Sequence, residues 1–260
     1  MSDTALEIED LFLCLNGKTI LQDISLTIAQ GERLAIVGPN GAGKTTFLKC
    51  LLRLFHGSGS IQLLGRKIAS YSQKELARTL AYVPQLDGQS IPFTVKEFVL
   101  MGRYPHLSSF SILSPEDYRI ADWALALTGI RPLMDRLLDT LSAGERQKVL
   151  IAASLVQGST ILLLDEPMAF LDPRHQVEIQ CLLDQLNREY GITLLTVTHD
   201  INAAIAYSSR IIALKDGTLV FNGTPEAFAD NQVLEIIYQQ RFLFTPHPQT
   251  GHPIAIAQSQ

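Results

Sequence analysis

The sequence predicts an α/β fold interrupted by a helical insertion, and three observations carry that expectation. Short apolar runs of strand type alternate with stretches of helical spacing along most of the chain. A glycine-rich loop at 38–45 sits between one such run and one such helix. Between 91 and 138 the texture turns mostly helical, punctuated by Pro92, Pro105, Pro115 and Pro132, before the β/α alternation resumes.

Taken in order, 8–15, 24–28 and 33–37 read as strands and 46–53 as a helix, whose stop is marked by His56, Gly57, Ser58 and Gly59. A strand at 60–64 turns at Gly65, and the amphipathic stretch 73–79 leads into a strand at 80–84. After the insertion, 145–156 has helical spacing, while 161–164 and 193–198 are compact apolar strands. No internal repeat, low-complexity tract or long linker is visible. Trp123 and Phe98, at helical spacing among apolar neighbours, are expected in the core.

Bulk properties narrow the function. A length of 260 residues with a 47% hydrophobic share supports a globular chain with a substantial core. A formal net charge of -5 and the absence of a Lys/Arg block argue against nucleic acid as a main partner. No uninterrupted apolar stretch approaches the roughly 20 residues that span a bilayer, and the N-terminus is acidic, so a cytoplasmic chain is expected. Cys14, Cys50 and Cys181 are odd in number and widely spaced, and read as small core residues.

Two segments carry phosphate chemistry. Gly38, Pro39, Asn40, Gly41, Ala42, Gly43, Lys44 and Thr45 fit the pattern G-x-x-x-x-G-K-[ST] without a mismatch, with a strand before and a helix after. The glycines let backbone N–H groups converge on phosphates, the helix N-terminus adds partial positive charge, and Lys44 reaches the β- and γ-phosphates of a nucleoside triphosphate. Thr45 would ligate Mg2+, and Thr46 belongs to the same nucleotide-binding set. Downstream, the apolar strand 161–164 delivers Asp165 and Glu166 at its C-terminal end, where α/β sheets place ligands. Alone that pair is equally a solvated turn. Combined with Lys44, Asp165 can hold Mg2+ and Glu166 can activate the attacking water.

Three further pieces fall in a fixed order: Leu141-Ser142-Ala143-Gly144-Glu145 before the carboxylate strand, Leu171-Asp172 after it, and His199-Asp200 ending the next strand. Together with Gln85 in Tyr82-Val83-Pro84-Gln85, this resembles the ATP-binding cassette of an ABC transporter across nearly the whole chain. The resemblance implies a P-loop NTPase ABC-cassette fold, with a RecA-like core, an antiparallel β edge and a helical insertion. It implies one domain over 1–260, with an α/β core at 1–85 and 146–235, a helical subdomain at 86–145 and a C-terminal tail at 236–260. It also implies that Gln85 ligates Mg2+ and senses a membrane partner, that Ser142 and Gly144 touch the γ-phosphate of ATP held by another subunit, that Asp172 is the D-loop residue, and that His199 is the γ-phosphate switch.

Part of this has a physical basis outside the resemblance. Ser142 to Gly144 precede a helical run and form an anion site, although an ordinary N-cap at Ser142 is physically adequate and a lone His199 after a strand is usually a satisfied polar residue. Two anion sites with one carboxylate pair make sense if two copies face head-to-tail.

The departures are specific. Ala143 and Glu145 stand where the family signature has Gly and Gln, and 168–170 reads Met-Ala-Phe instead of small polar residues. The string Gly102-Arg103-Tyr104-Pro105-His106, the run 71–85 and the tail at 248–253 look like the ATPases of importers for iron-siderophore, haem and cobalamin. Arg103 and His106 taken singly read instead as helix caps.

The expectation is therefore an ATPase that uses ATP and Mg2+, dimerises around two nucleotides and sits peripherally on the cytoplasmic face of the inner membrane. It docks on integral-membrane permease subunits through the groove between core and insertion, and reaches a substrate-binding protein only through them. The other readings are an exporter ATPase, or a DNA- or ribosome-linked ATPase, for which a coiled-coil insertion, a tandem cassette or a basic face would be the mark.

Leu15 generates one prediction, because it stands where the family carries an aromatic residue over adenine. A stacked base contributes about 1–3 kcal/mol on an aromatic platform. Phe12 is the obvious substitute, but period-two alternation puts Phe12 and Leu15 on opposite faces unless a bulge intervenes. GTP should then be used about as well as ATP, and Leu15→Tyr should tighten nucleotide binding. Titration of both nucleotides against both proteins checks this, and strong ATP preference with no gain from Tyr would exclude it.

Overall fold

In the computed structural model, residues 3–85, 90–108 and 112–258 are described. The chain opens with a hairpin of β1 (Thr4–Leu15) and β2 (Lys18–Ala29), closed by Asn16 and Gly17 at φ 51° and 75°, the left-handed pair that a two-residue hairpin turn requires. Both strands outrun the patterns at 8–15 and 24–28. Register shifts after Thr4, Ile8, Leu11 and Leu13 break the alternation on which a pattern reading depends.

There follow β3 (Arg33–Val37), α1 (Lys44–Leu51), β4 (Ser58–Leu63), β5 (Arg66–Lys67), α2 (Gln73–Thr79), β6 (Leu80–Val83), α3 (Val95–Met101), α4 (Pro115–Leu127), α5 (Ala143–Val156) and β7 (Ile161–Asp165). The remainder is α6 (Pro173–Tyr190), β8 (Thr193–Val197), α7 (Ile201–Tyr207), β9 (Arg210–Lys215), β10 (Thr218–Gly223), α8 (Pro225–Phe228), α9 (Asn231–Tyr238), β11 (Phe242–Pro246) and β12 (Pro253–Ala257). Packing divides the chain into two units, one of 1–70 with 193–260 and one of 71–192.

In the first unit, β1 pairs antiparallel with β2 and β4, and β4 with β5. A second set places β3 between β8 and β9, parallel to both, with β10 antiparallel to β9. A strand flanked on both sides within a covered sheet reads as a continuous apolar run, and Leu34, Ala35, Ile36 and Val37 are all buried. The end of the chain is a docked hairpin. Asn202 on α7 donates to the Ala255 carbonyl at 3.1 Å and accepts from its N–H at 2.7 Å, while Phe242 and Ala255 join Phe228, Leu234 and Ile237 in one apolar cluster.

In the second unit, β6 runs parallel to β7. Four of its helices start alike: Ser72 and Glu75, Thr94 and Glu97, Ser114 and Asp117, and Ser142 and Glu145 form reciprocal capping boxes at α2, α3, α4 and α5. Arg103 and His106 act as caps at the other end of α5. Arg103 Nη1 donates to the Val156 carbonyl at 2.8 Å and its Nε to Asp117 at 2.7 Å, while His106 Nε2 donates to the Gln157 carbonyl at 2.8 Å.

Four core assignments need correction. Trp123 is 40% exposed, because α4 buries Asp117, Ala121, Ala124 and Leu125, and a residue two beyond Ala121 points away from that stripe; its ring meets Tyr190 edge-on at 5.6 Å. Phe98 is half-buried. Cys50 is buried, but Cys14 faces solvent on alternating β1 and Cys181 lies off the Ile179, Leu182, Leu183 and Leu186 stripe of α6.

The buried Arg103–Asp117 pair yields a prediction. Asp117 is held down at about 2, first by the hydroxyl and N–H of Ser114 and then by Arg103. A depressed carboxylate stabilises the fold above its ordinary value of 3.8, and that contribution is lost as pH falls through about 2. Arg103→Ala should cost about 3 kcal/mol, seen as a lower urea midpoint at unchanged slope. Asp117→Asn should flatten the acid limb of stability between pH 4 and 2.

Candidate nucleotide site

The loop 38–43 leaves the C-terminal end of β3 and turns into α1. Gly38 has φ 139°, and a β-carbon there would stand 2.0 Å from the Leu214 carbonyl oxygen, so β9 admits no side chain. Gly43, at φ 97°, is wedged against Leu21 and the Ile20 carbonyl at 2.8 and 3.0 Å from where its β-carbon would be. Gly43 is also the N-cap of α1, and it offers no side-chain cap. Among the described residues, each of the other α-helices starts on a Ser, Thr or Asp whose side chain accepts from its first turn. No acidic residue lies in the first turn of α1. The buried Lys44 ammonium donates to the Gly38 and Pro39 carbonyls at 2.7 and 3.0 Å, inside the curl of the loop. Asn40 and Gly41 are exposed, Ala42 is buried, and Thr45 and Thr46 are half-buried in the first turn of α1.

His199 emerges from the same sheet edge as this loop, because Ile36 of β3 pairs with Val197 of β8. It is exposed, between buried Thr198 and the α7 cap Asp200, whose N–H donates to the Thr198 hydroxyl at 3.0 Å.

In the second unit, the Val83 and Leu164 pairing brings Gln85 and the two carboxylates to one edge of β6 and β7. Asp165 is buried and its Oδ2 accepts from the Tyr82 hydroxyl at 2.9 Å. Burial first, then the Asp165 charge, raises the Tyr82 pKa, so Tyr82 remains a donor. Glu166 takes left-handed backbone at φ 51°, a conformation that re-aims a side chain at a strand end and costs roughly 1–3 kcal/mol in a non-glycine residue. Gln85 is exposed. The motif reading gave Tyr82 no place beside Asp165: that contact depends on the register between two strands, across 83 positions of sequence, which no local pattern reports.

At α5, the Ser142 hydroxyl accepts from the Glu145 N–H at 3.3 Å, while Glu145 Oε2 accepts from the Ser142 N–H at 2.8 Å and hydroxyl at 2.9 Å. The Ser142 N–H and hydroxyl bonds lower the Glu145 pKa, with Arg136 and His175 assisting. Asp172 caps α6, accepting from the His175 N–H at 3.0 Å. In the altered stretch before it, Gln180 donates to the Met168 sulfur at 2.9 Å, and Phe170 stands 83% exposed on backbone at φ 63°. Leu15 is half-buried and Phe12 exposed, but register shifts between Leu11 and Leu13 and between Leu13 and Cys14 lie between them, so strict alternation does not by itself set their faces.

Each unit offers oxygen donors of the kind Mg2+ takes. The Thr45 hydroxyl in the first unit, and the Gln85 amide oxygen and Asp165 carboxylate in the second, are hard oxygens. No group of three His, Cys, Asp or Glu side chains gathers among the described residues, so a dedicated all-protein metal cage is not present there.

Comparison with known proteins agrees with the geometry. The ABC transporter family profile matches residues 21–169. The chain is 39% identical over 253 residues to the iron(3+)-hydroxamate import ATP-binding protein of Bacillus subtilis (strain 168), covering 97% of this chain and 94% of that protein. It is 37% identical over 260 residues to the hemin import ATP-binding protein of Pseudomonas putida, covering 96% and 99%. A solved metal-chelate type ABC transporter in an inward-facing conformation superposes with a TM-score of 0.88 at 25% identity, covering 99% and 98%. The family match spans the phosphate loop, the signature turn and the carboxylate strand in the order described above, and it makes this chain a member of the ABC transporter family, an ATP-binding cassette.

Proposed function

We propose that the chain is the ATP-hydrolysing subunit of a membrane importer for iron-siderophore, haem or cobalamin, acting as a pair of copies around two ATP molecules. The observation that carries the reading is α1, the helix whose N-cap has no side chain, with the Lys44 ammonium held inside the loop before it. Relatives of closely matching length are named for hydroxamate and hemin import, and those names support the substrate class. Permease docking is assigned to the segment from Gln85 through about Leu138, where Phe93, Met101, Tyr104 and Leu137 are exposed large apolar side chains and 86–89 and 109–111 lie outside the described residues. No described helix is long and apolar enough to cross a membrane. By analogy with relatives named as import ATP-binding proteins, the channel is assigned to separate permease subunits, with this chain peripheral on their cytoplasmic side.

In this reading Lys44 and the 38–43 amides hold the β- and γ-phosphates, and Thr45, Asp165 and Gln85 hold Mg2+, which when bound neutralises charge between those phosphates. Tyr82 fixes the Asp165 carboxylate. Glu166 takes the proton of the attacking water as its oxygen bonds to the γ-phosphorus and the bond to the ADP oxygen breaks; His199 orients the γ-phosphate. Ser142 and Gly144 of the second copy complete the pocket, so the copies close on ATP and part on ADP.

Two outcomes test it. Glu166→Gln should still bind ATP but hydrolyse it roughly 100- to 10,000-fold more slowly, running as a closed dimer on gel filtration with MgATP, whereas Lys44→Ala should not close. Rapid phosphate release by the Gln protein would sink the assignment. Tyr82→Phe should raise the Mg2+ concentration for half-maximal hydrolysis about tenfold, because a ligand that loses its supporting hydrogen bond weakens the metal by such factors; an unchanged Mg2+ titration would separate Tyr82 from the site.

A further inference from the structure

α5 and α6 both begin at motifs of the proposed nucleotide reading, and one side chain joins those two starts. His175, in the first turn of α6, uses both oxygens of Asp172. Its backbone N–H donates to Oδ1 at 3.0 Å and its ring Nδ1 donates to Oδ2 at 2.7 Å. The imidazole then lies directly on Gly144. A β-carbon at Gly144 would be 2.2 Å from His175 Cδ2, 2.3 Å from Cγ and 2.8 Å from Cβ, so the ring and its root both occupy that space.

Two consequences follow. Gly144 is required by its neighbour in the same unit, independently of any approaching phosphate. And Asp172 cannot turn without rotating a ring that has no room to move toward α5. The ring is a quarter exposed and Asp172 more than half exposed, so the link is made at the surface where another molecule can reach it.

We infer that His175 is a positioning residue, a strut that fixes the Ser142–Gly144 turn against the Asp172 turn so that both present to a second copy's nucleotide in one arrangement. This rests on the proposed ATPase reading. Glu145 belongs to the same arrangement, because His175 and Arg136 both act on its carboxylate.

The test is steady-state hydrolysis of MgATP by the full chain, with fluorescent-nucleotide binding and thermal midpoints measured alongside. His175→Ala should lower kcat about tenfold while KM and nucleotide affinity stay within twofold, since 38–46 is untouched. His175→Asn places an amide N–H near the position of Nδ1 and keeps atoms against Gly144, so it should recover at least half of kcat. His175→Leu keeps bulk but has no donor, and should not.

Combining Asp172→Asn with His175→Ala should cost no more in kcat than the worse single change. Equal recovery by Leu and Asn, a loss that follows KM or the thermal midpoint, or wild-type kcat in His175→Ala would each overturn the strut. Absence of MgATP hydrolysis in the unmodified chain would instead overturn the ATPase reading, which keeps the two failures distinct.

Discussion

A helix start leaves backbone N–H groups that demand an acceptor, and the way this chain meets or withholds that acceptor organises the molecule. From α2 to α9 the demand is met internally by Ser, Thr or Asp. At α1 no N-cap side chain does so, and backbone geometry at Gly43 accounts for the exception. Gly43, the cap position, stands at φ 97° against Leu21 and the Ile20 carbonyl, which disfavours the side chain a cap would need, and upstream Gly38 is closed by the Leu214 carbonyl. β2 and β9 therefore shape the loop as directly as the loop residues do. A helix N-terminus of this kind suits an anion from outside, and Lys44, buried among carbonyls, supplies the countercharge.

The same bookkeeping of N–H groups gives a physical account of Glu145. In the capping box a carboxylate accepts from both the N–H and the hydroxyl of Ser142, and charged acceptors make roughly twice the bond of a neutral amide oxygen. Glu at this position thus stabilises the start of α5 better than Gln would. The consequence is electrostatic. A phosphate about 4 Å from that carboxylate would meet repulsion on the order of 4 kcal/mol per charge pair at an effective dielectric near 20. Arg136 and His175, the cationic or proton-bearing groups that act on Glu145, are the side chains that offset it.

What the sequence revealed and what it hid divide along the range of the interaction. The phosphate loop, the carboxylate strand and the capped start of α5 are contiguous, so a local pattern contains all of their chemistry. Hidden were relations across the chain: Tyr82 on Asp165, Leu214 against Gly38, and His175 against Gly144. Pattern reading also failed where periodicity is blurred. Bulges in β1 masked its true length, and Cys14, Cys181 and Trp123 show that apolar neighbours in sequence do not decide which face a residue occupies. The C-terminal hairpin gave no signal because Asn202, which clamps it, lies more than fifty residues away.

Arg103 and His106 show how a string that looks like a subfamily mark can act through the fold. Both donate to carbonyls at the C-terminal end of α5, where the last carbonyls have no partner within the helix. The N-terminal end of that helix is the Ser142 turn. A 14-residue helix is rigid over its length, so fixing its last carbonyls fixes the direction in which its first N–H groups point. Gly102 brings the anchoring segment close, since a β-carbon there would lie 2.3 Å from the Ala153 carbonyl oxygen. Glycine, arginine and histidine in this string therefore have one structural purpose: they seat the far end of α5 so that its near end is aimed by the body of the unit and not by the turn alone.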